Sequence, residues 1–155
     1  MSAQPTLTRL FALLAFSGFA FYAATQFQLM QESARVSGVF NLVAVCSAAF
    51  AGWRVAGSRI SAKPVKSVFG VLQGMIVAVL LALVLKATAE TFRLGYKTRY
   101  DDLGDATQGF FGHIAEGIQK IVAAELLVPM AIFCVVAGLG LSVIFRLLEH
   151  RRMAR

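Results

Sequence analysis

The sequence VLQGMIVAVLLALVL, residues 71–85, decides the fold of this chain. It contains no charged side chain, and it is the densest part of an apolar segment that runs from about Val65 to Ala89. About 20 consecutive apolar residues form a helix long enough to cross the hydrocarbon core of a bilayer. The segment is therefore predicted to be a transmembrane helix.

Three further apolar segments of similar length accompany this one. They run from about Leu7 to Ala24, from Val36 to Val55 and from Leu126 to Leu148. The first is expected to be a retained helix rather than a signal peptide, because its core is long and aromatic and no clear cleavage motif follows it. The sequence predicts an all-α fold, with four transmembrane helices in a single membrane domain over residues 1–155.

The composition of the whole chain agrees with this prediction. Of its 155 residues, 58% are hydrophobic and 15% are charged, whereas soluble domains contain about 25% charged residues. A soluble domain of this size could not bury so much apolar surface. The composition therefore argues against a soluble enzyme, a disordered chain and a disulfide-stapled secreted module.

The basic residues predict the orientation of the four helices. With four spans, both termini and the link between the second and third spans share one side of the membrane, which carries nine basic residues and one acidic residue. The opposite side carries five basic and seven acidic residues. Because basic residues collect on the cytoplasmic side, we expect cytoplasmic termini and read the net charge of +7 as a topology signal rather than a nucleic-acid surface. The basic residues expected on the cytoplasmic face include Arg54, Arg59, Lys63, Lys66, Arg151 and Arg152.

The larger loop on the opposite side, about residues 92–125, contains an amphipathic stretch. Apolar residues recur at helical spacing across its second half, and polar residues fall mostly on the other side. We expect a helix from Ala106 to Ala124 that either lies at the membrane interface or packs on the ends of the spans. Asp105 and Gln108 have the layout of a capping box at its start.

Small residues recur at every fourth position along three of the spans. Such rows let helix backbones approach closely. We expect them to form contacts within the four-helix bundle first, and a docking face for another protein is the alternative. The helix-packing candidates are Ala48, Gly52, Ala56, Gly70, Gly74, Ala78, Ala82, Gly138 and Ser142.

Lys86 and Glu90 are the ionisable residues inside the predicted spans. Because they lie four residues apart on a helix, they share a face and are predicted to form an ion pair. The alternative is that the Lys86 side chain extends to the membrane surface. A role in ion transport would need titratable groups deeper in the bilayer, and the deep polar residues Asn41, Ser47 and Gln73 do not titrate.

The sequence contains no recognisable set of catalytic or metal-binding residues. It lacks the GxxxxGK[ST], HExxH, GxSxG and CxxC motifs, and its two cysteines, Cys46 and Cys134, lie singly in apolar segments. The acidic cluster of Asp101, Asp102 and Asp105 is better explained by a turn and a helix cap than by a metal ion. We therefore expect no enzymatic activity, no cofactor and no metal site.

Several short segments resemble one known family. The sequence FAGWRVAGSR, residues 50–59, resembles the GWRVMG-type motif that ends the second span of the TrgA family. Arg99-Tyr-Asp-Asp102 resembles its RYDG segment, although Asp102 stands where a glycine is common, and Glu149-His-Arg-Arg152 resembles its GG…E…RR ending. The similarity covers most of the chain from about Leu42. It implies a small inner-membrane protein of alphaproteobacteria that is associated with tellurite resistance, and it implies no catalytic residue or ligand.

Together these observations predict a non-enzymatic four-helix membrane protein. Its partners are expected to be the lipid bilayer and other integral membrane proteins or a second copy of itself, with no nucleic acid. One alternative is an accessory subunit of a respiratory or photosynthetic membrane complex. A second alternative is an oligomeric transporter or channel for a small anion, with Lys86, Arg93 and Arg35 at its outer mouth.

Overall fold

The computed structural model describes residues 6–29, 38–96, 102–123 and 126–153, and within these ranges the chain is helical and forms no strand. The helices are α1 (Thr6–Leu29), α2 (Gly38–Arg59), α3 (Pro64–Gly95), α4 (Leu103–Ala123) and α5 (Leu127–Met153). Helix α2 is α-helical over Gly38–Ala51, π-helical over Gly52–Ala56 and ends in one turn at Gly57–Arg59.

Helices α1, α2, α3 and α5 are long and apolar enough to cross a membrane. In the most apolar part of each, only 22–33% of the residues are buried inside the protein. The exposed side chains include large apolar ones such as Phe21, Leu80 and Val136. An outer surface of this kind suits contact with lipid rather than with water, and the predicted all-α bundle of four membrane-span-like helices is confirmed.

The four long helices form a closed bundle. Helix α1 packs against α2, α2 against α3, and α3 against α5. Helix α5 returns to α1 through Phe133, whose ring stacks on Phe19 with 4.2 Å between the centroids and meets Phe16 edge-on at 5.4 Å. Each long helix therefore has neighbours on two sides and turns its remaining surface outward.

Close approach of the helix backbones depends on glycine and alanine. A Cβ atom on Gly138 of α5 would lie 2.7 Å from Cα of Val68 in α3, and one on Gly74 of α3 would lie 2.8 Å from Cβ of Ala56 in α2. Phe16 is the largest of the fully buried side chains. Small residues thus form the closest contacts between the helices. This is expected in lipid, where the hydrophobic effect does not drive helices together and van der Waals packing holds them.

Helix α4 packs along α3 and also keeps an apolar face outward. Gly117 is buried, and a Cβ atom there would lie 2.5 Å from Cδ2 of Leu83. Phe111, Ile118 and Val122, which share another face of the same helix, stay exposed. The apolar side of α4 is therefore divided between contact with α3 and the outer surface. Packing on a span, one of the two predicted alternatives, is observed, and contact with the membrane interface stays a prediction.

The start of α4 differs from the prediction. Oδ1 of Asp102 accepts a hydrogen bond from the backbone N–H of Asp105 at 2.8 Å, so Asp102 is the N-cap. Asp105 lies inside the first turn, where a negative charge complements the helix dipole. The predicted capping role of Asp105 is therefore wrong, because the aspartate three residues earlier takes that position and lets the helix begin at Leu103.

Helices α1 and α3 are longer than their apolar segments. Helix α1 continues past Ala24 to Leu29, and α3 continues past Ala89 to Gly95. Backbone hydrogen bonds do not stop where hydrophobicity stops, so the end of an apolar segment is a poor guide to the end of a helix. The added turn of α1 contains Phe27 and Gln28.

Candidate functional site

The bundle contains an apolar cavity of about 120 Å³, partly open to the outside, which is lined by residues of all five helices. Along α3 it extends from Met75 to Lys86, which is eleven residues or about 16 Å of helix. Its walls combine alanines with phenylalanines. The small alanine side chains leave unfilled space between helices that the phenylalanine rings hold apart. The wall residues include Phe16, Phe19, Ala20, Ala24, Phe27, Phe40, Ala44, Ala48, Ala78, Ala82, Leu83, Ile121 and Met130.

Lys86 is the one polar residue among the described side chains that line the cavity. Its Nζ atom lies 5.4 Å from the ring centroid of Phe27 and 5.3 Å from that of Phe40. A cation over an aromatic face is attracted by the ring quadrupole, by about 0.5–2 kcal/mol depending on desolvation. The ammonium group is therefore held at the cavity by one ring from α1 and one from α2.

The carboxylates that act electrostatically on Lys86 are paired with other bases. Oε1 of Glu90 lies 2.5 Å from Nη2 of Arg93, and Oε1 of Glu116 lies 2.5 Å from Nζ of Lys120. The hydrogen bond and charge of Lys120 hold the pKa of Glu116 below its ordinary value. The pair predicted between Lys86 and Glu90 is not formed, because Arg93 reaches Glu90 while Lys86 turns toward the rings. Among the described residues, Lys86 has no carboxylate within ion-pair distance.

Polar side chains join α1 and α2 close to Phe27 and Phe40. Nε2 of Gln28 donates a hydrogen bond to Oδ1 of Asn41 at 2.6 Å, and Nδ2 of Asn41 donates to Oγ1 of Thr25 at 3.4 Å. Gln28 and Asn41 are both buried. Because buried amides are costly without partners, this contact fixes the relative position of the two helices beside Lys86.

Sequence reasoning missed the α1 contribution to this site. Phe27 and Gln28 lie beyond Ala24, the predicted end of the first span. One signal was present in the sequence, because Phe16, Ala20 and Phe27 follow one another at helical spacing and continue the apolar face past that point.

The rows of small residues face the inside of the bundle. All but one of the candidate positions are buried, and Ala82 is half-buried beside the cavity. The contacts of these rows are therefore made between the spans of this chain. The buried positions are Ala48, Gly52, Ala56, Gly70, Gly74, Ala78, Gly138 and Ser142.

Several basic residues meet at the end of the bundle away from Lys86. Nε of Arg146 donates a hydrogen bond to the carbonyl oxygen of Ala62 at 2.8 Å, and Oγ of Ser142 donates to the same link between α2 and α3. Arg59 donates to the side-chain oxygen of Gln73. Arg59 and Arg146 are exposed, as are Arg54, Lys63 and Lys66. Arg151 and Arg152 belong to the last turn of α5, with side chains outside the described part.

The segment FAGWRVAGSR contains the π-helical part of α2. The backbone N–H of Gly57 bonds to the carbonyl oxygen of Gly52, five residues earlier. A Cβ atom on Gly52 would lie 2.9 Å from the carbonyl oxygen of Ala12, and one on Gly57 would lie 3.1 Å from Cα of Arg9. Segments of π-helix occur frequently at functional sites, and here the segment brings α2 close to the start of α1.

The remaining candidates do not gather around the cavity. Cys46 is exposed on α2, whereas Cys134 is buried in α5. Arg93 is paired with Glu90, and Arg35 and Asp101 lie outside the described residues. Of the three bases predicted at an anion mouth, the structure places Lys86 against the cavity.

No family model, curated protein or solved structure matches the chain. The resemblance to the TrgA family therefore rests on the quoted residues and stays a prediction. Residues 50–59 belong to the described part, whereas residues 99–101 of the second quoted segment lie outside it.

Proposed function

We propose that this chain is a non-catalytic, four-span membrane protein similar to the TrgA family, which supports tellurite resistance from within a bacterial inner membrane. The proposal rests on the different residues that the spans place on their inner and outer faces. Small residues and polar cross-links hold the spans to one another, and large apolar side chains face outward. Such a chain acts through its contacts in the membrane, with lipid and with neighbouring membrane proteins.

The geometry favours this role over that of an anion transporter. Below Lys86 the cavity walls are apolar over about 16 Å, down to Met75. An anion that entered this space would lose its hydration without gaining hydrogen bonds, which is costly. Lys86 therefore lies at one end of an apolar cavity and not at the entrance of a polar ion pathway.

The proposed orientation places both termini in the cytoplasm, since Arg54, Lys63, Lys66 and Arg146 share one end of the bundle. A periplasm-dependent phosphatase fused after Tyr96 is expected to be active, and the same enzyme fused after Met153 is expected to be inactive. Activity of the Met153 fusion with an inactive Tyr96 fusion would reverse the orientation. Equal amounts of the two fusions, checked by immunoblot, serve as the control.

The proposed role predicts a growth phenotype that does not depend on reactive side chains. A deletion strain is expected to grow at a lower maximum tellurite concentration than its parent, and the wild-type chain should restore growth. The variants His113→Ala and Cys134→Ala should restore it equally. An unchanged deletion strain would contradict the link to tellurite, and loss of rescue by either variant at normal protein level would contradict the non-catalytic role.

The same strains distinguish a free-standing protein from an accessory subunit. A tagged chain purified in mild detergent is expected to elute without a respiratory or photosynthetic complex at equal stoichiometry. A respiratory or photosynthetic complex that co-purifies at equal stoichiometry, and that also retains the tagged chain when purified through its own subunit, would assign the chain to that complex instead.

A further inference from the structure

The cavity next to Lys86 combines apolar walls with one cationic group, as expected of a binding site for an amphiphile. Its walls are hydrocarbon over the stretch of α3 from Met75 to Leu83, and its one polar lining group is a cation. The nearby carboxylates Glu90 and Glu116 are occupied by Arg93 and Lys120. Glu90 and Glu116 therefore act on Lys86 only from a distance, and the groups in contact with its ammonium are the aromatic rings of Phe27 and Phe40.

The position of Lys86 along α3 agrees with the level of lipid headgroups. Lys66 and Lys86 are 20 residues apart on this helix, and Lys66 is exposed at the basic end of the bundle. Twenty residues of α-helix span about 30 Å, which is the thickness of the hydrocarbon core. If one lysine marks one boundary of the core, the other lies at the opposite boundary.

The size of the cavity limits what it holds. Its volume of about 120 Å³ is close to the ~150 Å³ of an engineered apolar cavity that admits benzene. It is well below the ~300–1,000 Å³ of sites for drug-sized ligands. A short stretch of a hydrocarbon chain fits such a space, and the rest of the molecule would lie outside its open side.

We propose that this cavity binds an anionic phospholipid of the leaflet opposite the basic end, with part of one acyl chain in the cavity and the phosphate against the Lys86 ammonium. The apolar walls replace the lipid contacts of the chain, and the unpaired cation provides charge complementarity to the phosphate. The polar contact between Gln28 and Asn41 keeps α1 and α2 in place beside the headgroup. The site goes beyond the proposed function, since it depends only on the bundle and on a membrane environment.

The test is native mass spectrometry of the full-length, delipidated protein. Phosphatidylglycerol and phosphatidylcholine with identical acyl chains are added in turn, so that only the headgroup charge differs. The wild-type chain is expected to retain phosphatidylglycerol more strongly, and Lys86 should account for about fivefold of that preference, because one basic residue near the surface contributes about that much to binding of an anionic lipid.

Three variants locate the binding. Lys86→Gln is expected to lower the preference for phosphatidylglycerol about fivefold, and Lys86→Arg should keep it. The matched control Lys66→Gln removes the same charge at the other end of the same helix and should leave the preference intact. A loss of preference in Lys66→Gln equal to that in Lys86→Gln would overturn the proposal, because the attraction would then be a general effect of net charge.

A measurement on the wild-type chain covers the case in which Lys86→Gln fails to fold. Phosphatidylglycerol should raise the thermal unfolding temperature of the wild-type protein more than phosphatidylcholine does, because a ligand that binds only the folded state stabilises it. Equal shifts would overturn the proposal. Retention of sodium oleate is measured in the same way. Retention of oleate without retention of phosphatidylglycerol would overturn the choice of a phospholipid and identify a free fatty acid as the occupant.

Discussion

Replacing Phe16 by alanine is expected to lower the free energy of unfolding by about 2–3 kcal/mol. The ring is 1% exposed, meets Phe133 edge-on, and its tip would be 3.0 Å from a Cβ atom on Gly74. In soluble cores the loss of a buried phenylalanine costs ~3–5 kcal/mol, including a transfer term. The transfer contribution is smaller in a bilayer, because lipid solvates the phenylalanine side chain in the unfolded state. The expected cost therefore comes mainly from the lost packing contacts.

The measurement is SDS-induced unfolding in mixed micelles, followed by circular dichroism. Phe21→Ala is the matched control, since Phe21 lies on the same helix and is 58% exposed. Its removal exchanges one lipid-facing surface for another and should change the free energy of unfolding by less than about 0.5 kcal/mol. Equal destabilisation by the two variants would contradict the placement of Phe16 at the centre of the bundle.

The second large effect is expected at the contact between α3 and α5. In Gly138→Ala the added Cβ atom would lie 2.7 Å from Cα and Cγ2 of Val68 and 3.0 Å from the backbone nitrogen of the same residue. Backbone atoms cannot rotate away as a flexible side chain can, so the helices must separate. Overpacking of this kind costs about 1–3 kcal/mol, and the same unfolding titration measures it.

Gly140→Ala is the control for this second prediction. Gly140 is two residues further along the same helix, and no atom beyond its own stretch of helix backbone lies within 4 Å of the Cβ position. Alanine is the better helix former by about 1 kcal/mol, so this variant should be neutral or slightly stabilised. The contact would be refuted if Gly138→Ala were as stable as Gly140→Ala.

The four spans were predictable because each depends on local composition. A run such as residues 71–85 has no charge to satisfy and can cross a bilayer whatever its neighbours do. The ends of the helices were less predictable. Asp102 and Asp105 are both suitable N-caps by residue type, and only the backbone geometry at the start of α4 selects Asp102.

The side-chain partners of Lys86 were not predictable from spacing alone. Glu90 is correctly placed for a pair one turn away, but Arg93 competes for the same carboxylate, and Phe27 and Phe40 approach from other helices. The choice depends on which groups surround the lysine after the helices pack. The i to i+4 rule describes an isolated helix surface and contains no information about those neighbours.

The sequence by itself determined that this protein is a helical membrane bundle with four spans, an amphipathic helix before the last span and a strongly basic end. These properties follow from hydrophobicity and charge along the chain, which act locally against a bilayer. Only the tertiary structure decided that the small-residue rows face inward, that Phe16 fills the centre and that Lys86 heads an apolar cavity. Those properties arise from contacts between residues far apart in sequence, where the distance between two helices is set by the side chains on both.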